Sequence, residues 1–401
     1  MRFLPLLPLL ALPAWAVTTL SPAPTPTLFS SIIETKLQAI ANVLKSPASY
    51  PQYTDRVQGI WQFFDPTTWT SGFFPATLYE LDTRAKLCPS FKTQTDFLGL
   101  GRTWSQGEVP LETDSGLDHD VGFLSYPFMH ELLVNPSNTS AQNAVIKFGN
   151  FLASRFDPIV GCTRSWNTAD PTDFQVIIDN MMNLEVLFAA ADLTGNQTLR
   201  DIAITHADTT MKNHFRPDWS TWHVVEYNST TGAIIRKRTE QGFSDNSTWT
   251  RGQSWAVYGY ANMFNRTRLT RYLDTARNAA DLYLTRTPSS FIVPWDFDAP
   301  LPLMADTSAS TIAATGLLLL ADMEESLSPP NSTGAARWRT AAVNLLNAAA
   351  KLAWSPSWQS LLSNGTVNNP AANNLTGIVY GDYYFIKAGN VLLSEGFVRC
   401  P

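Results

Sequence analysis

Residues 308–326 read SASTIAATGLLLLADMEES and residues 335–353 read AARWRTAAVNLLNAAAKLA, with LSPPNSTG (327–334) between them. Small or apolar side chains return every three or four residues: Ala309, Ile312, Ala313, Leu317 and Leu320, then Trp338, Ala342, Leu345 and Ala349. That interval stacks side chains on one face of a helix. The connector supplies Pro329, Pro330, Asn331 and Gly334, residues that turn the chain and cap the next helix. The pair reads as a helical hairpin.

The same periodicity recurs over 29–44, 131–156, 174–192, 199–214, 252–264, 270–286 and 382–397, with connections rich in Pro, Gly, Asn, Ser and Thr. β-type runs at Thr221–Tyr227 and Ile234–Arg238 flank Asn228–Gly232 and predict a hairpin there. At 401 residues the chain has room for two or three domains of about 150 residues. No composition break marks a linker, so the pattern predicts one large all-α domain of successive hairpins. Such hairpins bury one face and leave the loops at one end free to build a site.

Composition narrows the function classes. Charged residues make up 15% of the chain, below the roughly 25% of ordinary globular proteins. The 13 Trp, 12 Tyr and 22 Phe are too many large apolar groups for a disordered chain. A net charge of -6 gives no basic stripe for nucleic acid. Met1-Arg2, the apolar run Phe3–Leu12 and Ala14-Trp15-Ala16 form a three-part secretory signal over residues 1–16, leaving a mature chain of 17–401. Phe3–Leu12 is too short to cross a bilayer, and no membrane partner is expected. Sequons at Asn138, Asn196, Asn228, Asn246, Asn265, Asn331, Asn364 and Asn374 agree with a secreted, extracellular glycoprotein. Cys88, Cys162 and Cys400 allow one disulfide and one thiol, without saying which pair forms. The five histidines include no HExxH pair, and no metal site is expected. Nothing in the sequence fixes an oligomeric state.

Aromatic and acidic residues recur at helix starts and in loops: Trp69–Phe74, Asp118-His119-Asp120, Asp179-Asn180 and Trp249–Trp255. Indole faces stack on the C–H faces of sugar rings, which makes a carbohydrate cleft one reading; plugs between helix ends are the other. Asp179 follows Val176-Ile177-Ile178 and precedes Met181-Met182. Desolvation there raises a carboxyl pKa and keeps a proton available, as a general acid requires. Asn183, at i+4, is placed to orient it. The competing reading makes Asp179 the N-cap of the helix after it. Asp120 is a second candidate carboxylate, with a cap as its alternative. Arg251, between Trp249 and Trp255, is either a receptor for a sugar carboxylate or a structural cation–π partner. His223 reads equally as a donor, a base or a core histidine.

Taken together, several blocks carry a resemblance. Trp69–Phe73, His119-Asp120, Ile178–Leu184, Ser220–Val225, Trp249–Trp255, Asp306–Ala309 and Tyr380–Tyr384 resemble, in order, the unsaturated glucuronyl hydrolases of glycoside hydrolase family 88. The likeness spans about residues 60–390. Trp249-x-Arg-Gly-Gln-x-Trp255 is closer to this family than to the unsaturated rhamnogalacturonyl hydrolases.

The resemblance implies an (α/α)6 barrel of six helical hairpins. It also implies hydration of the C4=C5 vinyl ether in a 4,5-unsaturated uronic acid at the non-reducing end of lyase-generated oligosaccharides, a reaction that requires no metal or organic cofactor. Asp179 matches the acid/base and Asp120 the second carboxylate. His223, Gln241, Arg251 and Trp255 match positions that hold the unsaturated ring, with His119 beside Asp120, and Trp69, Phe73 and Trp249 match an aromatic wall. Trp219 departs from the pattern, standing where glycine is common before Ser-Thr. The 364–375 loop lacks the clustered Ser and Lys that grip a sulfated second sugar, which points to unsulfated uronides. The alternatives are an unsaturated rhamnogalacturonyl hydrolase, a conventional inverting glycosidase using Asp120 and Asp179 about 6.5–9.5 Å apart, and a non-catalytic carbohydrate-binding protein.

Overall fold

The computed structural model describes residues 20–43, 47–89 and 93–400, so the leader read at 1–16 lies outside the described residues. Helix α1 (Ile32–Val43) leads to a hairpin of β1 (Tyr50–Thr54) and β2 (Trp61–Phe64). Next come α2 (Phe73–Leu87), α3 (Phe97–Ser105), α4 (Val121–Leu124), α5 (Tyr126–Val134) and α6 (Thr139–Ser154). Strands β3 (Phe156–Asp157), β4 (Cys162–Thr163) and β5 (Asp173–Ile177) precede α7 (Asn180–Thr194) and α8 (Gln197–His214). After β6 (Val224–Asn228) and β7 (Ile234–Arg238) follow α9 (Thr250–Thr267), α10 (Thr270–Arg286), α11 (Thr307–Glu325) and α12 (Ser332–Ala353). The chain closes with β8 (Gly365–Asn368), β9 (Asn373–Thr376) and α13 (Val379–Ser394).

Among the described residues, α2, the broken pair α4–α5, α7, α9, α11 and α13 pack side by side in a closed ring. Helices α3, α6, α8, α10 and α12 return along the outside, each against the inner helix before it, and α1 lies on the outer side beside α3. This is the helical barrel expected. The quoted hairpin shows how the two layers differ. Inner helix α11 touches α9, α13 and α12, and is buried on nearly every side. Its small residues let the neighbours approach: a Cβ at Gly316 would lie 2.9 Å from Tyr258 Cα. Its hydroxyls are satisfied locally or by its partner, Thr315 donating to Thr311 O and Ser310 to Leu345 O. Outer α12 buries Ala335, Trp338, Ala342, Leu345, Leu346 and Ala349 and leaves Ala336 and Arg337 in solvent, the narrower stripe of an outer layer.

The two ends of the ring are unlike. At one end the connections are short. There α3, α6, α8 and α12 begin on Asp96, Asn138, Asn196 and Asn331, each accepting from a backbone N–H of the first turn. Three of these caps are sequon asparagines, so a helix-start requirement also explains those motifs. At the opposite end the connections are long and hold all the β structure. The predicted hairpin is there as β6–β7, joined by β5 into a three-stranded antiparallel sheet.

Periodicity misplaced several boundaries. The 131–156 segment is not one helix: Pro136 supplies no N–H, Asn135 leaves the helical region, and α6 restarts on Asn138 in the opposite direction. The first part of 174–192 is strand β5, whose Phe174, Val176 and Ile177 are buried between β6 and the barrel, and the helix begins at Asn180. Helices α2 and α3 were not anticipated, because α2 is buried around most of its circumference and shows little amphipathic contrast. The disulfide joins Cys88 to Cys400 and leaves Cys162 as a buried thiol.

The last inner helix must meet the first, and one buried arginine fastens that seam. Arg84 of α2 donates Nε to Asn390 Oδ1 (2.9 Å), one terminal nitrogen to Leu28 O (2.8 Å) and the other to Ile386 O (2.9 Å). Asn390 Nδ2 returns to Glu80 O and Oε2, both at 2.7 Å. Gly389 leaves the necessary room, since a Cβ there would sit 2.9 Å from an Arg84 terminal nitrogen. Burial lowers the Arg84 pKa to about 10, with Glu80 opposing, so it stays charged at neutrality. Arg84→Ala is expected to cost about 3 kcal/mol in urea unfolding by stranding these acceptors. Arg84→Lys should recover little of it, because a single ammonium cannot reproduce the three-way fork.

Candidate active site

Each inner helix starts at the end that carries the long loops, so their N-termini converge. Asp120 precedes α4, Asp179 precedes α7, Trp249 precedes α9, Asp306 precedes α11 and Tyr380 lies in the first turn of α13. Trp69 lies just ahead of α2. The notable acids, aromatics and Arg251 are therefore gathered by topology from positions as far apart in sequence as Trp69 and Tyr380.

Asp179 occupies the N-cap position of α7 but its side chain makes no capping hydrogen bond, and its Oδ2 is buried without a partner. Burial raises its pKa to about 7 against the opposing pull of Arg251. The Trp255 indole N–H lies beside the carboxyl and weakly favours ionisation, short of a well-formed hydrogen bond. A helix N-terminus favours the anion by only about 0.3–2 kcal/mol. A shift to about 7 shows that desolvation outweighs it. Asp120 is likewise pushed well above the usual carboxylate range by burial, with the charges of Asp118 and Asp179 adding to it.

Asn183 lies at the predicted place on α7 but serves the other carboxyl. Its Nδ2 donates to Asp120 Oδ1 (3.3 Å) and its Oδ1 accepts the Phe123 N–H (3.0 Å). The contact needs Gly122, where a Cβ would fall 2.5 Å from Asn183 Cα. α4 thereby lies directly on α7 and brings the two aspartates into one electrostatic unit.

His223 Nδ1 accepts the Glu240 backbone N–H at 3.2 Å, and burial drives its pKa well below the usual value, helped by Arg251. The neutral ring therefore carries its proton on Nε2, which faces Asp179 Oδ2 at 3.8 Å. Trp249 lies on the other side of His223, centroids 4.2 Å apart. His119 is fully buried, its Nε2 3.5 Å from Asp120 Oδ2, and burial lowers its pKa to about 4. Asp118, His119 and Asp120 bring ligand atoms within 4.8 Å of one another. Asp118 Oδ1 meanwhile accepts the Asp120 N–H at 2.9 Å, closing a turn.

Arg251 is buried and largely engaged. It pairs with Asp306 (3.0 Å), donates to Thr366 O and to Val367 O (2.8 Å), and lies 4.5 Å from the Trp249 ring centre. Gln241 Nε2 reaches the same Val367 O at 3.3 Å. The cation–π contact with Trp249 is therefore present, and the same charge acts on Asp179. Trp69 is half-buried against Tyr380 (5.0 Å) and Phe123 (5.5 Å). Phe73 is fully buried behind it among Phe123, Tyr126 and Tyr380, and supports the wall from the core side.

Three participants escaped assignment. Trp166, half-buried, stands edge-on to His223 at 6.3 Å. Tyr380 leaves its hydroxyl buried and unpartnered. Asp306 caps α11 and holds Arg251. The last two lay inside quoted motifs, and Trp166 was readable as another loop tryptophan. Trp219, the departure from the family pattern, has φ 70°, a conformation that favours glycine. Its carbonyl accepts Gln253 Nε2 at 3.0 Å, and that contact holds the turn before His223.

No family model matches the chain. The unsaturated glucuronyl hydrolase of Formosa agariphila is 33% identical over 368 residues, covering 89% of this chain and 88% of its own. That of Bacillus sp. (strain GL1) is 32% identical over 271 residues, 66% of this chain and 70% of its own. The crystal structure of an unsaturated glucuronyl hydrolase specific for heparin superimposes with a TM-score of 0.81 at 26% identity, over 92% of this chain and 95% of the other. An aspartate-to-asparagine variant of such an enzyme with dGlcA-Glc-Rha-Glc gives 0.80 at 26%, over 91% and 95%. With this identity across nearly nine-tenths of both sequences, the chain belongs to the unsaturated glucuronyl hydrolases, a family of glycosidases.

Proposed function

We propose that the enzyme releases a 4,5-unsaturated uronic acid from the non-reducing end of lyase-generated oligosaccharides by hydrating its C4=C5 vinyl ether, with Asp179 as acid and then base. The observation that carries the reading is the desolvated, unpartnered Oδ2 of Asp179, titrating near neutrality beside a neutral His223 Nε2–H. Protonated Asp179 gives its proton to C4, and positive charge develops at C5 and the ring oxygen. The carboxylate left behind stabilises that charge and then takes a proton from the water adding at C5. The resulting hemiketal opens and expels the remaining sugar. Asp120, which accepts from Asn183, lies close enough for the charge of Asp179 to raise its pKa further, after burial and Asp118. The inner-helix N-termini meet at this end of the ring and favour a bound uronate, while Arg251 is paired with Asp306. Unsulfated uronides remain the expected substrates, from the makeup of the 364–375 loop.

Turnover is followed as loss of the unsaturated uronide's absorbance on lyase-generated disaccharides from chondroitin, hyaluronan, heparin, glucuronan and pectin. Asp179→Asn is expected to lower kcat on the order of 10²–10⁴-fold with the fold intact. Near-normal turnover by that variant would remove Asp179 from the chemistry. In the wild type the protonated acid is lost as pH rises through about 7, so kcat/KM should fall about tenfold per unit above it. Stability follows the same titration. Asp179 is neutral in both folded and unfolded chains below its ordinary pKa of 3.8, and the folded state resists its ionisation up to about 7. It therefore lowers stability progressively over that window, by about 1.4 kcal/mol for each pH unit crossed. Asp179→Asn should accordingly gain over wild type at pH 8 but not at pH 3.5. Equal stability differences at the two pH values would contradict the buried neutral acid.

The leader and the sequons are the basis for proposing secretion. Asn196 and Asn246 are exposed, whereas Asn374 is buried with Nδ2 on Asn369 Oδ1 at 2.6 Å. Mass spectrometry of the chain recovered from a eukaryotic secretory host is expected to find glycans at Asn196 and Asn246 and none at Asn374. A chain retained unprocessed, with Met1 still present, would contradict secretion.

A further inference from the structure

Over the C-terminal end of α6, a cavity of about 510 Å³ is lined by Arg155, Arg164, Asn167, Phe156, Phe174 and one carboxylate, Asp157, whose Oδ1 accepts the Ile159 and Val160 N–H groups. Its volume is in the range that holds small ligands. Two arginines face one space, and every hydrogen bond they make runs to a neutral oxygen. Arg155 donates to Arg164 O, Leu117 O, Ser165 O and Asn167 Oδ1; Arg164 donates to Asp173 O and Pro171 O. No carboxylate answers either charge by a hydrogen bond. Burial and the like charge of Arg164 both lower the Arg155 pKa, against the pull of Asp118. Arg155, with four of its N–H bonds engaged, is a fixed strut. Arg164 uses one N–H on each terminal nitrogen, for Asp173 O and Pro171 O, and its guanidinium sits over Phe174, 4.6 Å from the ring centre, with its other N–H groups left to donate.

The cavity connects to the site through one short strip of chain. Ser165 is held to β5 at both sides, its N–H donating to Gln175 O and its Oγ accepting the Ile177 N–H, and its carbonyl accepts the His119 N–H. Trp166 then turns towards His223 while Arg164 and Asn167 face the cavity. Phe174 and Ile177 mark the two ends of this strip on β5, about 10 Å apart at the usual rise. An extended oligosaccharide leaving the site past Trp166 would cover that distance with the units beyond its second sugar.

We propose that this cavity is a subsite for an anionic group, a uronate carboxylate or a sulfate ester, on a sugar beyond the one that leaves, with Arg164 as its receptor. The proposal rests on the function given above and adds a preference for longer acidic substrates. The test compares wild type with Arg164→Gln on the hyaluronan disaccharide, on hyaluronan and chondroitin sulfate tetrasaccharides, and on dGlcA-Glc-Rha-Glc, which is neutral beyond its first unit. Loss of one charged fork should lower kcat/KM about tenfold, through KM, on the acidic tetrasaccharides alone. A larger fall with the chondroitin sulfate substrate identifies the sulfate as the bound group, and equal falls identify the carboxylate. Asn167→Asp, which puts a negative charge into the same space, should weaken the same two substrates and serves if Arg164→Gln does not fold. Unchanged kinetics, or an equal loss on disaccharide and tetrasaccharide, would overturn the subsite. If wild type turns over none of the four, the function given above fails instead. Calorimetric binding of the acidic tetrasaccharides to wild type and variant then still decides the cavity, with equal affinities overturning it.

Discussion

Desolvation at the converging N-termini of the inner helices is the constraint on which the site depends. The helix ends offer positive potential, which by itself would hold Asp179 and Asp120 ionised. Both carboxyls are instead buried, and removal from water outweighs the pull of Arg251 on Asp179 and of Asn183 and Arg155 on Asp120. The outcome is a buried carboxyl at Asp179 whose pKa lies near neutrality.

Such burial is possible because the ring is tight along its whole length. Gly122 lets α4 lie on Asn183, and Gly316 lets α11 lie on α9. Arg84 then draws α2, α13 and the N-terminal segment into register where the ring closes. These contacts set how the inner helices pack against one another, and the helix starts place the site side chains. The β-rich loops above carry Trp166, Gln241 and the cavity at Arg164.

Much of the architecture was legible because outer helices such as α8, α10 and α12 are amphipathic and their periodicity survives in the sequence. The inner helices are harder to read. α2 is buried on most sides and carries little contrast, and β5 adjoins α7 through an unbroken apolar run that hides the change from strand to helix. Asp179 was readable as an acid among apolar neighbours. The partner of Asn183 was not, since spacing along α7 points to Asp179 whereas the crossing of α4 delivers Asp120.

The residue types and their order were enough to specify helical hairpins, a family resemblance and two acids, because those depend on local spacing and on motifs that stay contiguous. Other features arose only from tertiary structure. These are the pairing of Cys88 with Cys400, the burial of Phe73 behind Trp69, the engagement of Arg251 by Asp306 and β8, and the proton on His223 Nε2. Each depends on which groups meet after the ring closes, and closure joins segments hundreds of residues apart whose contact leaves no periodic trace in the chain.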